Sequence, residues 1–257
     1  LALAAGLARW TVAAVQALRA GLVLPLLQAG VAAALVFPML LAFRFVVVDR
    51  DKRRIRDAFR LYLPGRLIDE MLASGRPPRL GGETREVTVM FADIAGYTRM
   101  SEGLDPERLV TILNRYFAEM TGIIERHGGF VDKYIGDAIL AVFGAPYAPD
   151  NHARAAVAAA LEMQAALAAD PTLLTGADGQ RGAVRVGLAT GPVLIGNIGS
   201  PRRFNYTMMG DTVNLASRLE GANKPLGTGI LASAATAALH GDDGAFREVD
   251  TIQVAGR

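Results

Sequence analysis

The stretch "GGFVDKYIGDAILAVFGAP", residues 128–146, decides the fold. Val131 and residues 134–135 have the pattern of a short strand, and residues 139–143 have the pattern of a second one. Gly136-Asp137 forms a tight turn between them. An aspartate beside a hairpin glycine usually reflects turn chemistry, because both residues tolerate the backbone angles of tight turns. The stretch predicts a β-hairpin, and a function for its aspartate has to be argued from the rest of the chain.

The regions around the hairpin read as an α+β domain. The segment "EVTVMFADI" predicts an apolar strand that ends at Asp93, and "DPERLVTILNRYFAEMTGIIERHGG" predicts a helix with Asp105 as N-cap and Pro106 at its first position. An alanine-rich helix is expected over about 151–169, followed by separate strands in "AVRVGLAT" and "PVLIGNIG" and a helix in "DTVNLASRLEGANK". Several strands are joined by hairpins, which connect antiparallel neighbours, and not by the helical crossovers that connect parallel ones. We therefore expect helices packed on a largely antiparallel sheet.

Composition excludes several classes of site. The chain has no cysteine, which excludes disulfides, thiolate catalysis and cysteine-bound zinc. Its three histidines lack the spacing of a histidine-built metal site. A net charge of +2, with no basic patch interleaved with aromatic residues, argues against nucleic acid as a partner. The sequence does not begin with methionine, so we expect a fragment from which an upstream sensor region is missing.

Residues 1–48 are predicted to be a transmembrane region. No residue between Arg19 and Arg44 is charged, and as a helix residues 20–43 would rise about 36 Å against a hydrocarbon core of about 30 Å. The alternative is a buried helix of a soluble protein. Residues 1–18 are a weaker candidate for part of an earlier span. The lipid membrane is therefore an expected partner.

Residues 49–82 are predicted to be a juxtamembrane helix and linker. Five basic residues follow the apolar run, which predicts that the rest of the chain lies on the cytoplasmic side of the cell membrane: Lys52, Arg53, Arg54, Arg56 and Arg60. Val48, Ile55 and Tyr62 recur every seven residues, as in a short paired helical stalk. The alternative is a solvated helix that pairs with nothing. Proline and glycine pairs then mark a linker.

Asp93 and Asp137 are candidate metal ligands. A strand, helix, strand, turn and strand order can bring both carboxylates to one edge of the sheet. Two hard oxygen ligands suit Mg²⁺, which takes its other ligands from water and substrate phosphates. The turn "IAGYT" after Asp93 offers the backbone N–H groups of Gly96, Tyr97 and Thr98 to phosphate oxygens. These features favour metal-assisted phosphoryl transfer, and the alternative is two unrelated turn aspartates.

Three motifs carry a family resemblance: "VTVMFADIAGYTRMSE", "HGGFVDKYIGDAILAVFGAP" and "YTMMGDTVNLASRLE". In this order and at these separations, residues 83–257 resemble the catalytic domain of class III nucleotidyl cyclases, in particular the bacterial adenylate cyclases. The resemblance implies a ferredoxin-like fold. It also implies that Asp93, Asp137 and the carbonyl of Ile94 hold two Mg²⁺ ions, for which Mn²⁺ can substitute. The ribose 3′-OH of ATP would attack its own α-phosphorus, giving cyclic AMP and pyrophosphate.

The resemblance also assigns substrate-binding residues. Lys133 and Thr207 fall on the two positions that read the base. Lysine donates to an adenine ring nitrogen, whereas the threonine departs from the aspartate of many relatives and can both donate and accept. Asn214 would orient the ribose and Arg218 would offset charge at the α-phosphate. Arg257 is the candidate to bind the terminal phosphates, and the alternative is that a truncated C-terminus lacks the residue with this role.

In this family the two halves of the site meet across a homodimer interface. Metal ligands and Lys133 would come from one subunit, and Asn214 and Arg218 from the other. The sequence thus predicts a membrane-anchored adenylate cyclase in signal transduction. The alternatives are a guanylate cyclase, a catalytically silent nucleotide-binding relay, and a polymerase-like palm, which would need a surface for nucleic acid.

Overall fold

The computed structural model describes residues 2–20, 26–43, 69, 80–146, 151–177, 179–200, 202–241 and 246–250. The chain divides into two compact units, residues 1–68 and 69–257. The first contains α1 (Ala2–Arg19) and α2 (Leu26–Phe43). At about 1.5 Å per residue the 18 residues of α2 rise about 27 Å, less than a hydrocarbon core of about 30 Å, and Pro38 lies inside the helix. Among the described residues, no helix combines the length and apolarity that a membrane crossing needs. The predicted span is not confirmed, and the predicted stalk lies outside the described residues.

The second unit is a sheet with helices on both faces. In chain order its elements are β1 (Gly81–Ala95), α3 (Tyr97–Ser101), α4 (Pro106–Arg126), β2 (Phe130–Ile135), β3 (Ala138–Phe143), α5 (His152–Ala169), a 3₁₀ helix (Pro171–Leu174), β4 (Ala183–Ser200), β5 (Arg203–Met209), α6 (Asp211–Leu226), β6 (Ile230–Ala232) and α7 (Ala234–His240). The strand order is β2-β3-β1-β4-β5, and β6 pairs with β4. Only the β4–β6 pairing is parallel among these strands, which confirms the largely antiparallel sheet.

Local sequence signals set the helix and hairpin boundaries. The Asp105 side chain accepts a hydrogen bond from the Arg108 backbone N–H at 2.9 Å, and Pro106 is the first residue of α4. Gly136 adopts φ 65°, a left-handed conformation that glycine reaches without strain, and closes the β2–β3 hairpin. Both predictions are confirmed.

The prediction of two separate strands after residue 182 is wrong, because β4 runs unbroken from Ala183 to Ser200. Pro192 lies in its middle and pairs with Glu86 of β1 on one side. On the other side, β6 pairs with residues 186–188 and β5 with residues 194–200. Pro192 therefore sits at a gap between two neighbours, where the missing N–H removes no ladder hydrogen bond.

Side chains alternate between the two faces of the sheet, each with its own core. Even-numbered apolar residues of β1 and β4 pack against α4 and α5, and odd-numbered ones face α6: Met90, Ala92, Ile94, Val184, Val186 and Leu188 on the first face, Val87, Val89, Ala189, Val193 and Ile195 on the second. Gly187 lies under α6, where an added Cβ would meet the helix backbone at Ala216 and Glu220. This close approach fixes α6 directly on β4.

Candidate active site

Two aspartates meet where β1 ends and β3 begins. Asp93 lies near the end of β1, Asp137 directly precedes β3, and the pairing of Ala92 with Ile139 brings the two chain segments side by side. Asp93 is close enough to Asp137 for its charge to raise the pKa of Asp137, and the backbone N–H groups of Asp137 and Ile94 lower that pKa. The topology therefore places both candidate ligands, with the backbone of Ile94, at one point of the sheet edge.

The environment of Asp137 opposes its ionisation. Burial, the charge of Asp93 and the interaction between the two side chains together raise the pKa of Asp137 to about 6. The backbone N–H groups of Asp137 and Ile94 lower the pKa of Asp137, but their effect is smaller. Two carboxylates forced together in this way form a concentrated negative site that favours a cation.

Arg185 is a part of this site that the sequence analysis missed. It pairs with Asp93 in the β1–β4 register, and its Nη2 lies 3.3 Å from Asp93 Oδ2. Its Nε donates to Glu220 Oε1 of α6 at 2.8 Å. Burial raises the pKa of Glu220, and the charge of Asp93 adds to the effect, whereas Arg185 lowers it. The only sequence signal was a charged residue within an apolar strand, and its partner depends on strand register.

Tyr116 of α4 is a second residue that the sequence analysis did not assign to the site. Its ring is fully buried. Its hydroxyl, however, has no hydrogen-bond partner among the described residues. Burial raises its pKa, and the charges of Asp93 and Asp137 raise it further. The Tyr116 hydroxyl is thus a buried polar group that lies within the electrostatic influence of both aspartates.

The turn after β1 leads directly into a short helix. Gly96 adopts φ 77°, and α3, which begins at Tyr97, has only five residues. Gly96 and Thr98 are exposed, whereas Tyr97 is partly buried against the core. A pocket of about 200 Å³ adjoins this turn and is lined by Gly96, Arg99 and Arg181 among others.

Lys133 and Thr207 come together from strands at opposite ends of the sheet path. Lys133 Nζ of β2 donates to Thr207 Oγ1 of β5 at 2.9 Å. The aromatic rings of Phe130 and Tyr206 also approach, with centroids 6.0 Å apart. The sheet is therefore curled so that β5 lies against β2. This places side by side the two residues that the sequence assigned to the base.

Asp132 joins this pair through an irregularity in β2. Val131 pairs with Ala141 and Lys133 pairs with Leu140, so Asp132 is an extra residue in a β-bulge. Its side chain is 2% exposed, its Oδ2 accepts from Thr207 Oγ1 at 2.8 Å, and Lys133 Nζ lies 3.5 Å away. Burial raises the pKa of Asp132, whereas the hydrogen bond from Thr207 and the charge of Lys133 lower it.

Asn214 and Arg218 lie on the exposed side of α6. Both residues are exposed, whereas Thr212, Ala216 and Leu219 of the same helix are buried. Within the described part of the chain, no side-chain hydrogen bond or ion pair connects Asn214 or Arg218 with the two aspartates. The single chain thus does not bring these two groups together, and the face that carries Asn214 and Arg218 is open. Arg257 lies outside the described residues.

Comparisons with known proteins identify the family. The sequence model described as "Adenylate and Guanylate cyclase catalytic domain" matches residues 82–257. Adenylate cyclase 1 of Rhizobium meliloti is 38% identical over 207 residues, which are 79% of this chain and 31% of that protein. An adenylate cyclase of Anabaena cylindrica is 38% identical over 185 residues, 70% of this chain and 36% of that protein. The chain spans about a third of the length of these curated relatives.

Solved structures give the same result for the fold. The guanylyl cyclase Cya2 matches with a TM-score of 0.63 and 39% identity, over 69% of this chain and 89% of that one. The adenylyl cyclase CyaB from P. aeruginosa matches with a TM-score of 0.56 and 36% identity, over 62% and 82% respectively. Cyclases of both base specificities are thus among the similar structures. The chain belongs to the family of class III adenylate and guanylate cyclase catalytic domains.

Proposed function

We propose that this domain is an adenylate cyclase that converts ATP to 3′,5′-cyclic AMP and pyrophosphate in signal transduction. The observation that carries the proposal is the position of Asp93 and Asp137 at one point of the sheet edge, where β1 pairs with β3. The hydrogen bond between Lys133 and Thr207 lies at a separate point of the same chain. The relatives named adenylate cyclase support the choice of ATP. Guanylate cyclase activity is the second candidate, supported by the similarity to the guanylyl cyclase Cya2.

The carboxylate pair suits a divalent cation. No group of three or more His, Cys, Asp or Glu side chains able to hold a metal occurs among the described residues. Mg²⁺ needs no such group, because it retains water and binds substrate phosphates. Asp93, Asp137 and the Ile94 carbonyl would hold two Mg²⁺ or Mn²⁺ ions. When bound, the ions supply activation of the 3′-oxygen and neutralisation of phosphate charge.

The residues of the chain would position ATP around this centre. The exposed backbone of Gly96 and Thr98, with Tyr97 between them, is available to phosphate oxygens, and Arg257 is the further candidate for the terminal phosphates. Arg185 already neutralises part of the charge of Asp93. This ion pair would reduce the repulsion between Asp93 and Asp137.

A homodimer completes the site in this proposal. Asn214 and Arg218 of one subunit would face the aspartates of the other, which is consistent with their exposed position on α6. The sequence analysis grouped Lys133 with the metal ligands. Lys133, however, donates to Thr207, at the end of the strand that leads into α6. We therefore propose that base reading comes from the subunit that supplies Asn214 and Arg218.

Membrane attachment through residues 20–43, with a cytoplasmic catalytic domain, remains a proposal supported by the uncharged run and the basic residues after it. Fractionation of cells that express the full chain tests it. Recovery of the chain without detergent in the soluble fraction would contradict it.

Turnover assays test the proposed reaction. The full chain, supplied with ATP or GTP and with Mg²⁺ or Mn²⁺, should form cyclic AMP in preference to cyclic GMP. Asp93→Asn should abolish turnover without loss of the fold, because it removes a ligand charge and no core contact. Asp105→Asn is the matched control, since asparagine caps a helix as well as aspartate does. Wild-type turnover by Asp93→Asn at saturating Mg²⁺ would refute the metal assignment.

A further inference from the structure

Asp132 is a buried carboxylate that the proposed reaction does not use. Its side chain is 2% exposed, its Oδ2 accepts one hydrogen bond, and its Oδ1 has no hydrogen-bond partner among the described residues. Lys133 Nζ, at 3.5 Å from Oδ2, offsets part of its charge, but a buried carboxylate with one oxygen unpaired is still costly to a fold. The carboxylate lies beside Lys133 and Thr207, the two residues assigned to the base, so its charge acts on both of them.

The β-bulge lets two successive residues act on the same group. In a regular strand, neighbouring side chains point to opposite faces. Here the register shift between Val131 and Lys133 allows both Asp132 and Lys133 to reach Thr207 Oγ1, at 2.8 and 2.9 Å. Thr207 is thus held between a carboxylate and an ammonium group.

This arrangement fixes the direction of the Thr207 hydroxyl. A hydroxyl has one proton and two acceptor lone pairs, and an ammonium group can only donate. Lys133 therefore occupies one lone pair of Thr207, and the proton points to Asp132. The remaining lone pair of Thr207 can only accept a hydrogen bond.

We infer that Asp132 is a positioning residue for base specificity, which fixes Thr207 as an acceptor for the 6-amino group of adenine. The inference rests on the proposed function. Adenine presents a donor at position 6, whereas guanine presents the O6 acceptor. The Lys133 side chain is 42% exposed and can move from Thr207 to the neighbouring ring nitrogen, an acceptor in adenine and an N–H in guanine. Guanine in the same orientation is mismatched at both positions.

The test compares three substrates in the full chain: ATP, GTP and purine riboside triphosphate, which has hydrogen in place of the 6-amino group. Asp132→Leu has nearly the same shape and removes the acceptor, so the Thr207 proton is free to turn toward the substrate. The ratio of kcat/KM for ATP to that for GTP should fall about tenfold, the effect of one mispaired hydrogen bond. The kcat/KM of Asp132→Leu for purine riboside triphosphate should stay within about twofold of the wild-type value, because this substrate has no group at position 6 that could form a hydrogen bond with Thr207.

Variants of Thr207 separate positioning from general structural support. In a Thr207→Val background the Asp132→Leu exchange should no longer change the ATP to GTP ratio, because the hydroxyl it acts through is gone. Thr207→Ser retains the hydroxyl and should retain the full dependence on Asp132. Equal losses with all three substrates, or an undiminished ratio change in the Thr207→Val background, would overturn the inference.

Binding measurements distinguish failure of this inference from failure of the proposed function. Calorimetric titration measures the dissociation constants for ATP and GTP, so the preference between the two bases is obtained without a turnover assay. Cyclic AMP formation with an ATP to GTP ratio that Asp132→Leu leaves unchanged overturns the inference alone. Asp132-dependent selective binding of ATP without cyclic AMP formation supports the inference and overturns the proposed reaction.

Discussion

Replacement of Asp137 by asparagine is expected to stabilise the metal-free domain at neutral pH while abolishing turnover. Burial and the neighbouring Asp93 raise the pKa of Asp137 from 3.8 to about 6. Below pH 3.8 this carboxyl is protonated in the folded and the unfolded chain and has no effect on stability. As the pH rises, the unfolded chain ionises first, so the free energy of unfolding falls between about pH 4 and 6 and stays lower above that range.

The size of the effect follows from this difference in pKa. A change from 3.8 to about 6 corresponds to about 3 kcal/mol at ~1.4 kcal/mol per pKa unit. Asp137 is only partly buried, and solvent screening reduces the value, so we expect about 1.5 kcal/mol. Asparagine retains the side-chain shape without the charge. The free energy of unfolding of Asp137→Asn should therefore exceed that of the wild type by about this much at pH 7.5 and should equal it at pH 3.5.

Urea unfolding of the full chain in the presence of a chelator measures the effect across this pH range. Asp105→Asn is the control, because this exposed cap residue should change stability by less than about 0.5 kcal/mol. Addition of Mg²⁺ should stabilise the wild type more than Asp137→Asn, so the difference in free energy of unfolding between the two proteins should become smaller. A destabilised Asp137→Asn at pH 7.5, or a gain that does not depend on pH, would refute the reasoning.

Three further predictions concern the base, the dimer and the core. Lys133→Glu should sharply reduce ATP turnover and raise the relative use of GTP, because an acceptor replaces a donor; an unchanged ratio in the cyclase assay would contradict this. Asp137→Ala and Asn214→Ala should each be inactive, but co-expressed with two different tags they should regain up to about half of wild-type activity per heterodimer; inactive co-purified heterodimers would exclude a shared site. Gly187→Ala should lower stability in thermal unfolding by about 1–3 kcal/mol, because the new Cβ meets the backbone of α6. Gly221→Ala, with open space around it, should not lower it.

Features encoded by neighbouring residues could be predicted from the sequence. The α4 cap depends on Asp105 and Pro106, and the hairpin depends on Gly136. The approach of Asp93 and Asp137 followed from the order of strands and turns. The cap and the hairpin rest on backbone preferences that a short segment carries by itself, whereas the approach of the two aspartates also needs the pairing of β1 with β3.

Features that depend on register and curvature could not be predicted in this way. The contact of Arg185 with Asp93 needs the exact partner in β4, which no short segment specifies. Asp132 lies in the hairpin sequence that was quoted first. In a regular strand, however, successive side chains point to opposite faces, so the sequence places Asp132 on the face opposite Lys133. Only the bulge, and the curl that brings Thr207 to β2, give it a role.

The pairing of β1 with β4 also has a consequence for how the domain forms. Gly81 pairs with Asn197 and Ala95 pairs with Ala183, so partners along the whole of β1 are separated by a large part of the domain sequence. Contacts this distant carry a high loop-closure cost and slow folding. During synthesis, β1 and the β2–β3 hairpin are made before β4, so the central pairing of the sheet forms only after β4 has been synthesised. Refolding should accordingly be slow and cooperative, with the most slowly exchanging amides in β1 and β4.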